Sequence, residues 1–207
     1  MDKELIKGLI AEYQQFVKSV SFVKRAVTLS DNFNYVFVGL RRVGKSYLMY
    51  QQIHHLIETG ISPEEILFFN FEDERIAGMD TEHLDMIKRC YEEMYSHRPI
   101  FFLDEIQIVP HWEQFVRRLA DQKYRVYVTG SNAKMLSKDI ATTLGGRFMI
   151  QYVYPFSFRE YLSSNGVQLD KLWIYKNRSE VVRHFDTYFR FGGLPEPVSY
   201  THLTLPT

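Results

Sequence analysis

Residues 39–46 read Gly39-Leu40-Arg41-Arg42-Val43-Gly44-Lys45-Ser46, directly after the apolar run Tyr35-Val36-Phe37-Val38. The spacing fits GxxxxGK[ST]. Two glycines let the backbone turn its N–H groups inward around an anion, and a helix starting near Lys45 adds the positive end of its dipole. Lys45 supplies a mobile point charge for terminal phosphates, and Ser46 is placed to offer a small hydroxyl to Mg²⁺, which prefers hard oxygen ligands. The stretch therefore predicts a site for a nucleoside triphosphate with magnesium, its contacts drawn from Gly39, Arg41, Arg42, Val43, Gly44, Lys45, Ser46 and Tyr47. A plain glycine turn between strand and helix is the structural alternative. The context favours the phosphate loop, because Tyr47 to Glu58 carries apolar residues at 49, 53, 56 and 57, the spacing of one helical face.

A second stretch answers the first. Ile100-Phe101-Phe102-Leu103 reads as a buried strand and ends in Asp104-Glu105. An acid at the end of such a strand costs several kcal/mol of desolvation unless something positive meets it. A magnesium ion in the phosphate loop is that partner, which makes Ser46 and Asp104 the expected metal ligands. Glu105 is then positioned to orient and deprotonate a water attacking the γ-phosphate. Two acids merely capping the strand is the alternative.

Outward from these motifs, the chain alternates strands and helices. Apolar runs predict strands near 34–38, 66–71, 100–105, 125–129 and 148–153, separated by helices over 47–58, 80–96, about 112–119 and a short one near 133–138. This rhythm implies right-handed crossovers and a parallel sheet covered on both faces, an α/β fold of the P-loop NTPase kind: a three-layer sandwich with a five-stranded parallel sheet. Residues 1–20 form a helix expected to pack on that core. A connector holding Lys24 and Arg25 either borders the nucleotide base or simply joins helix to strand. Glu72-Asp73-Glu74-Arg75 stands where parallel sheets bind ligands, or is a solvated loop. The core is expected over 21–155, followed over 156–197 by a helical region with helices at 156–163 and 180–191.

Composition bounds the rest. The chain has 207 residues, 45% hydrophobic and 15% aromatic, enough for one α/β domain and part of a second. Lys+Arg and Asp+Glu are 25 each, so no net field draws it to nucleic acid or to an anionic membrane surface, although a local basic patch stays open. Cys90 is the one cysteine and is expected to pack. Neither a signal segment nor a stretch of 18 apolar residues is visible, so a cytoplasmic location without membrane contact is expected. The seven histidines show no metal-ligand spacing.

The motifs GLRRVGKS, IFFLDEIQ, VTGSNAKML, TLGGR and YPFSFREYL occur in that order, and over about residues 20–197 the chain resembles the bacterial and archaeal AAA+ class ATP-binding proteins. These join an AAA-type ATPase domain to a C-terminal domain of unknown function. The resemblance implies ATP and Mg²⁺ as cofactors, with Lys45 and Ser46 as Walker A residues and Asp104 and Glu105 as Walker B residues. It also implies Ser131 or Asn132 as the polar sensor after the fourth strand, and Arg147 as a finger-like arginine, acting in its own subunit or across an interface. The family continues past Gly192-Gly193-Leu194-Pro195 into its C-terminal domain, so that domain is expected in cis but missing from this chain. A homo-oligomer is allowed. Val198 to Thr207 resembles a translated sequencing-adapter read-through and is expected to be non-native.

Two functional classes follow. One is a Mg²⁺-dependent ATPase driving a conformational change in an attached domain or partner; the other is a nucleotide-gated interaction module with little or no turnover. Glu105 favours the first, since a pure binder needs no base. A GTPase fits less well because Asn132-Ala133-Lys134-Met135 lacks the aspartate of [NT]KxD, and a small-molecule kinase would need an arginine-rich lid. A protein or DNA partner is not specified by the sequence.

Overall fold

The computed structural model describes residues 2–131, 142–167 and 169–195. The short helix expected at 133–138, Asn132 and the tail from 198 lie outside these residues.

Five parallel strands form one sheet in the order β2-β3-β4-β1-β5: β1 Asn34–Gly39, β2 Ile66–Asn70, β3 Ile100–Asp104, β4 Val126–Ser131 and β5 Phe148–Tyr152. The α-helices lying wholly within the described residues are α1 Lys3–Ser19, α2 Lys45–Glu58, α3 Thr81–Met94, α4 Trp112–Asp121, α5 Phe158–Ser164, α6 Lys171–Lys176 and α7 Arg178–Phe191. The expected α/β sandwich with a five-stranded parallel sheet is what forms. Successive residues of a strand face opposite sides of the sheet, and β3 is buried at all five positions, so both faces are covered. Phe102 stacks on Tyr127 of β4 with centroids 4.4 Å apart, filling the centre with flat aromatic surface.

α1 is not an appendage. It buries Ile6, Leu9, Ile10, Tyr13 and Val17 against β2 and α3. Gln14, also buried, donates to the Ile66 carbonyl at 2.9 Å and accepts from Tyr95 at 2.7 Å. The amide thus meets the polar groups that a helix laid across a strand end would otherwise bury unpaired.

α2 starts at Lys45, where the phosphate-loop spacing puts it, with Gly44 as its N-cap. Two details differ from the sequence reading. α6 was not anticipated; six residues give too short a period to show, and Asp170 capping Leu172 and Trp173 is its one local signal. β5 is an edge strand whose Met149, Ile150 and Tyr152 are exposed, where a covered strand was expected.

Beyond β5 the chain builds a second, small cluster from Phe156, Tyr161, Leu162 and Val167, against which Val23 of the α1–β1 connector, Trp173 and Tyr188 also pack. The connector therefore belongs to two neighbourhoods. It lies between the sheet and the helical region, and that placement forms the cleft described next.

Candidate functional site

Parallel register decides which residues meet. Gly39 pairs with Ser131 and Leu103 with Val128, so the carboxyl ends of β1, β3 and β4 share one edge, where sheets of this kind bind ligands.

The loop after β1 closes tightly. A Cβ on Gly39 would stand 2.4 Å from the Val153 carbonyl oxygen and 2.9 Å from Val43, so a side chain there would push the loop off β5's exit. Val43 is fully buried and anchors the loop. Arg42 and Gly44 take left-handed backbone, φ 64° and 93°, and Gly44 caps α2 without any side-chain hydrogen bond to the helix's first N–H groups. Those donors and the helix dipole suit an anion. Arg41 reaches outward to Glu72, 3.7 Å away, and Tyr47 is half exposed against Tyr50.

Lys45 is 4% exposed. Its Nζ donates to the Leu40 carbonyl at 3.3 Å and lies 3.4 Å from Glu105 Oε1. Asp104 is likewise buried, and its Oδ1 accepts from Thr129 Oγ1 at 2.5 Å. Burial pushes the Asp104 carboxyl up to about 6, against the pull of the Thr129 hydroxyl and of the nearby Ser46 hydroxyl. Such an acid favours a nearby positive charge, and a hydroxyl beside a carboxylate is a hard-oxygen pair suited to Mg²⁺. No group of three His, Cys, Asp or Glu that could hold a metal by itself occurs among the described residues.

Glu105 leaves the strand in left-handed backbone, φ 53°, a conformation that costs a non-glycine residue on the order of 1 kcal/mol. Its N–H donates to Thr129 Oγ1 at 2.9 Å, which holds the turn. Gln107 Nε2 donates to Glu105 Oε2 at 2.5 Å, while Gln107 Oε1 is buried without a partner. Thr129 and Gln107 are the residues that sequence reasoning passed over. Thr129 had a faint signal as a hydroxyl at the buried end of an apolar strand; Gln107 had none.

The remaining candidates divide. Ser131 ends β4 opposite Gly39. Arg147 is elsewhere: it pairs with Asp121 at the end of α4 at 2.5 Å and precedes Phe148, which registers with Asn34 at the start of β1. The six residues of β1 separate it from its own phosphate loop by about 17–20 Å at the strand rise. Parallel pairing puts the start of β5 at the opposite end of the sheet, so the structure does not bring Arg147 to its own subunit's loop.

A cleft of about 1320 Å³ opens over the loop, walled by Phe22, Val23 and Arg25 of the connector and by Phe156, Asn165 and His184 of the helical region. The connector thus borders the cleft. Arg25 Nε meets Glu160 Oε1 at 3.0 Å. Burial tends to raise the Glu160 carboxyl, but N–H donors from Ser157 and Ala26 and the charge of Arg25 hold it below its ordinary value.

The site and fold together define a P-loop domain of the AAA+ class, and the comparisons agree. Residues 31–162 match a family model described as AAA domain, and the chain belongs to that family. An uncharacterized protein of Methanocaldococcus jannaschii is 31% identical over 196 residues, covering 94% of this chain and 43% of that protein. One from Haemophilus influenzae is 34% identical over 182 residues, covering 86% and 44%. The chain therefore spans less than half the length of these relatives. Among solved structures, Hsp104 with ATPyS and FITC casein aligns at TM-score 0.51 and 13% identity, over 95% of this chain and 35% of that one. The ADP complex of S. cerevisiae Hsp104 aligns at TM-score 0.50 and 14% identity, over 97% and 32%. At such identity the likeness is one of fold. Among the described residues no helix is long and apolar enough to cross a membrane, and Cys90 is buried.

Proposed function

We propose that the protein binds ATP with Mg²⁺ over the β1–α2 loop and hydrolyses it. The observation that carries this is the meeting of Lys45, Ser46, Asp104 and Glu105 at the carboxyl end of the sheet, with Lys45 3.4 Å from Glu105 and the Ser46 hydroxyl close enough to Asp104 to hold its carboxyl down. Lys45 turns from the Leu40 carbonyl to the terminal phosphates, whose negative charge outcompetes a neutral acceptor. That movement takes the ammonium off Glu105 and leaves its carboxylate to accept the proton of the attacking water. The loop amides from Gly44 onward hold the phosphates, and the cleft walls take the base. Mg²⁺ would be held by Ser46 Oγ and Asp104, where it neutralises charge on the phosphate oxygens.

Arg147 is assigned to a neighbouring subunit's site. It stands at the sheet end remote from its own loop, so a ring or dimer would be needed to use it, and its pairing with Asp121 must open first. The helical region from 156 is read as the start of a further part that relatives of about twice the length carry, and hydrolysis is read as moving that part. A gated module with slow turnover is the second reading, favoured by Lys45 and Gln107 both restraining Glu105.

Phosphate release at saturating ATP and Mg²⁺ separates the two. Lys45→Ala is expected to lower ATP affinity at least about 100-fold, since the loop then faces the phosphates without its mobile cation. Unchanged affinity of that variant for a labelled ATP analogue would end the phosphate-loop reading.

A further inference from the structure

Arg25 lies in the connector between α1 and β1, yet its side chain is only 7% exposed. A buried guanidinium persists where its charge is paired and its donors are met. Nε donates to Glu160 Oε1 at 3.0 Å, Nη1 to the Val43 carbonyl at 3.3 Å and Nη2 to the Tyr154 carbonyl at 2.5 Å. Its charged carbon sits 4.9 Å from the centroid of the Phe156 ring. Gln51 of α2 brackets its backbone, accepting from Arg25 N at 2.6 Å and donating to Arg25 O at 3.1 Å. One side chain is thus fixed from the connector, the loop, the exit of β5 and the cap of α5.

Val43 belongs to the phosphate loop, and its carbonyl shares a peptide plane with the Gly44 N–H. In a trans peptide these two groups point opposite ways, and no peptide among the described residues is cis. By taking the carbonyl, Arg25 directs the Gly44 N–H away from itself, and it polarises the peptide so that the N–H becomes a stronger donor. The left-handed backbone of Gly44 permits this orientation; a Cβ there would also stand 3.6 Å from Arg25 Nη1.

We infer that Arg25 is a positioning residue of the phosphate loop, holding the Val43–Gly44 peptide with its N–H turned to the phosphates and tying it through Glu160 to the cap of α5. This rests on the nucleotide reading above. Glu160 Oε1 takes Arg25 and the Ala26 N–H, while Oε2 takes the Ser157 N–H and hydroxyl that begin α5. A pull on the Gly44 peptide by bound phosphate is therefore transmitted to α5 through one charged contact.

The test is a titration of the full chain with mant-ATP and MgCl₂, beside thermal unfolding without nucleotide, for wild type, Arg25→Lys, Arg25→Ala and Glu160→Gln. Arg25→Lys keeps the charge but not the fork, and should bind about 10-fold or more weaker with an unchanged circular dichroism spectrum, as expected for loss of a support behind a binding group. Glu160→Gln leaves both carbonyl contacts and should weaken binding only about 3-fold. In wild type, nucleotide should slow amide hydrogen exchange over residues 157–164, and in Glu160→Gln it should not. Wild-type affinity in Arg25→Lys overturns the inference, and so does a loss confined to the unfolding midpoint. Should Arg25→Ala fail to fold, Arg25→Lys decides. A folded wild type that does not bind mant-ATP instead sinks the nucleotide reading, a result distinct from wild type and Arg25→Lys binding equally well.

Discussion

The sheet and the helical region after it are both rich in aromatic residues, but they close differently. β2 buries its first four positions and β3 all five, whereas α7 has no buried residue and leaves Phe185, Phe189 and Phe191 exposed. A strand inside a parallel sheet has backbone partners on both sides and helices over its faces, so β3 is covered all round, while among the described residues of the sheet only the edge strand β5 keeps apolar side chains exposed. A helix satisfies its own backbone and can stand with an apolar face uncovered. The site sits on the closed region and the cleft is completed by the open one, so the two should respond to substitution in different ways.

The largest contrast is catalytic. Glu105→Gln keeps the shape of the side chain and its place beside Gln107 but cannot accept a proton, so turnover should fall about 10²–10⁴-fold with ATP binding retained. Parent-like phosphate release by this variant would leave the strand-capping reading of the two acids standing. Next is the sheet core. Phe102→Ala removes the ring stacked on Tyr127 and should cost about 3–5 kcal/mol in denaturant unfolding.

Asp104→Asn should act in the opposite sense on stability. Its folded value of about 6 lies above the ordinary 3.8, so between those values the native state binds more protons than the unfolded chain. Stability from this group therefore falls as pH rises from about 4 to 6, by on the order of 3 kcal/mol. Without divalent cation, Asp104→Asn should remove that slope and be more stable than the parent at pH 7, while losing Mg²⁺-dependent turnover. A parent-like pH profile in the variant would show that Asp104 is not the strained acid. The smallest effect is expected in the open region: Phe189→Ser, at a side chain 80% exposed, should change stability by no more than about 0.5 kcal/mol. A cost near that of Phe102→Ala would break the comparison between the two regions.

Much of the candidate site was legible because the chemistry proposed for it is local. Gly39 to Ser46 and Asp104-Glu105 are short motifs whose residue types follow from phosphate and metal chemistry, and the apolar runs before them announced their strands. Thr129 and Gln107 were not legible, since each acts through a partner reached only by strand pairing or by the turn after β3. Arg147 shows the limit most plainly. Its glycines and its place before β5 were visible, but the end of the sheet it occupies depends on parallel register.

What the amino-acid sequence determined alone was the set of strands, their alternation with helices and the residues proposed to hold a phosphate and a hard cation. These depend on side-chain periodicity and on groups within a few positions of one another. Only the tertiary structure decided that Arg25 stands behind the phosphate loop with Glu160 135 residues away, and that Thr129 closes on Asp104. The physical reason is that a buried charge or hydroxyl takes its meaning from the group that meets it, and folding, not spacing along the chain, brings that group into place.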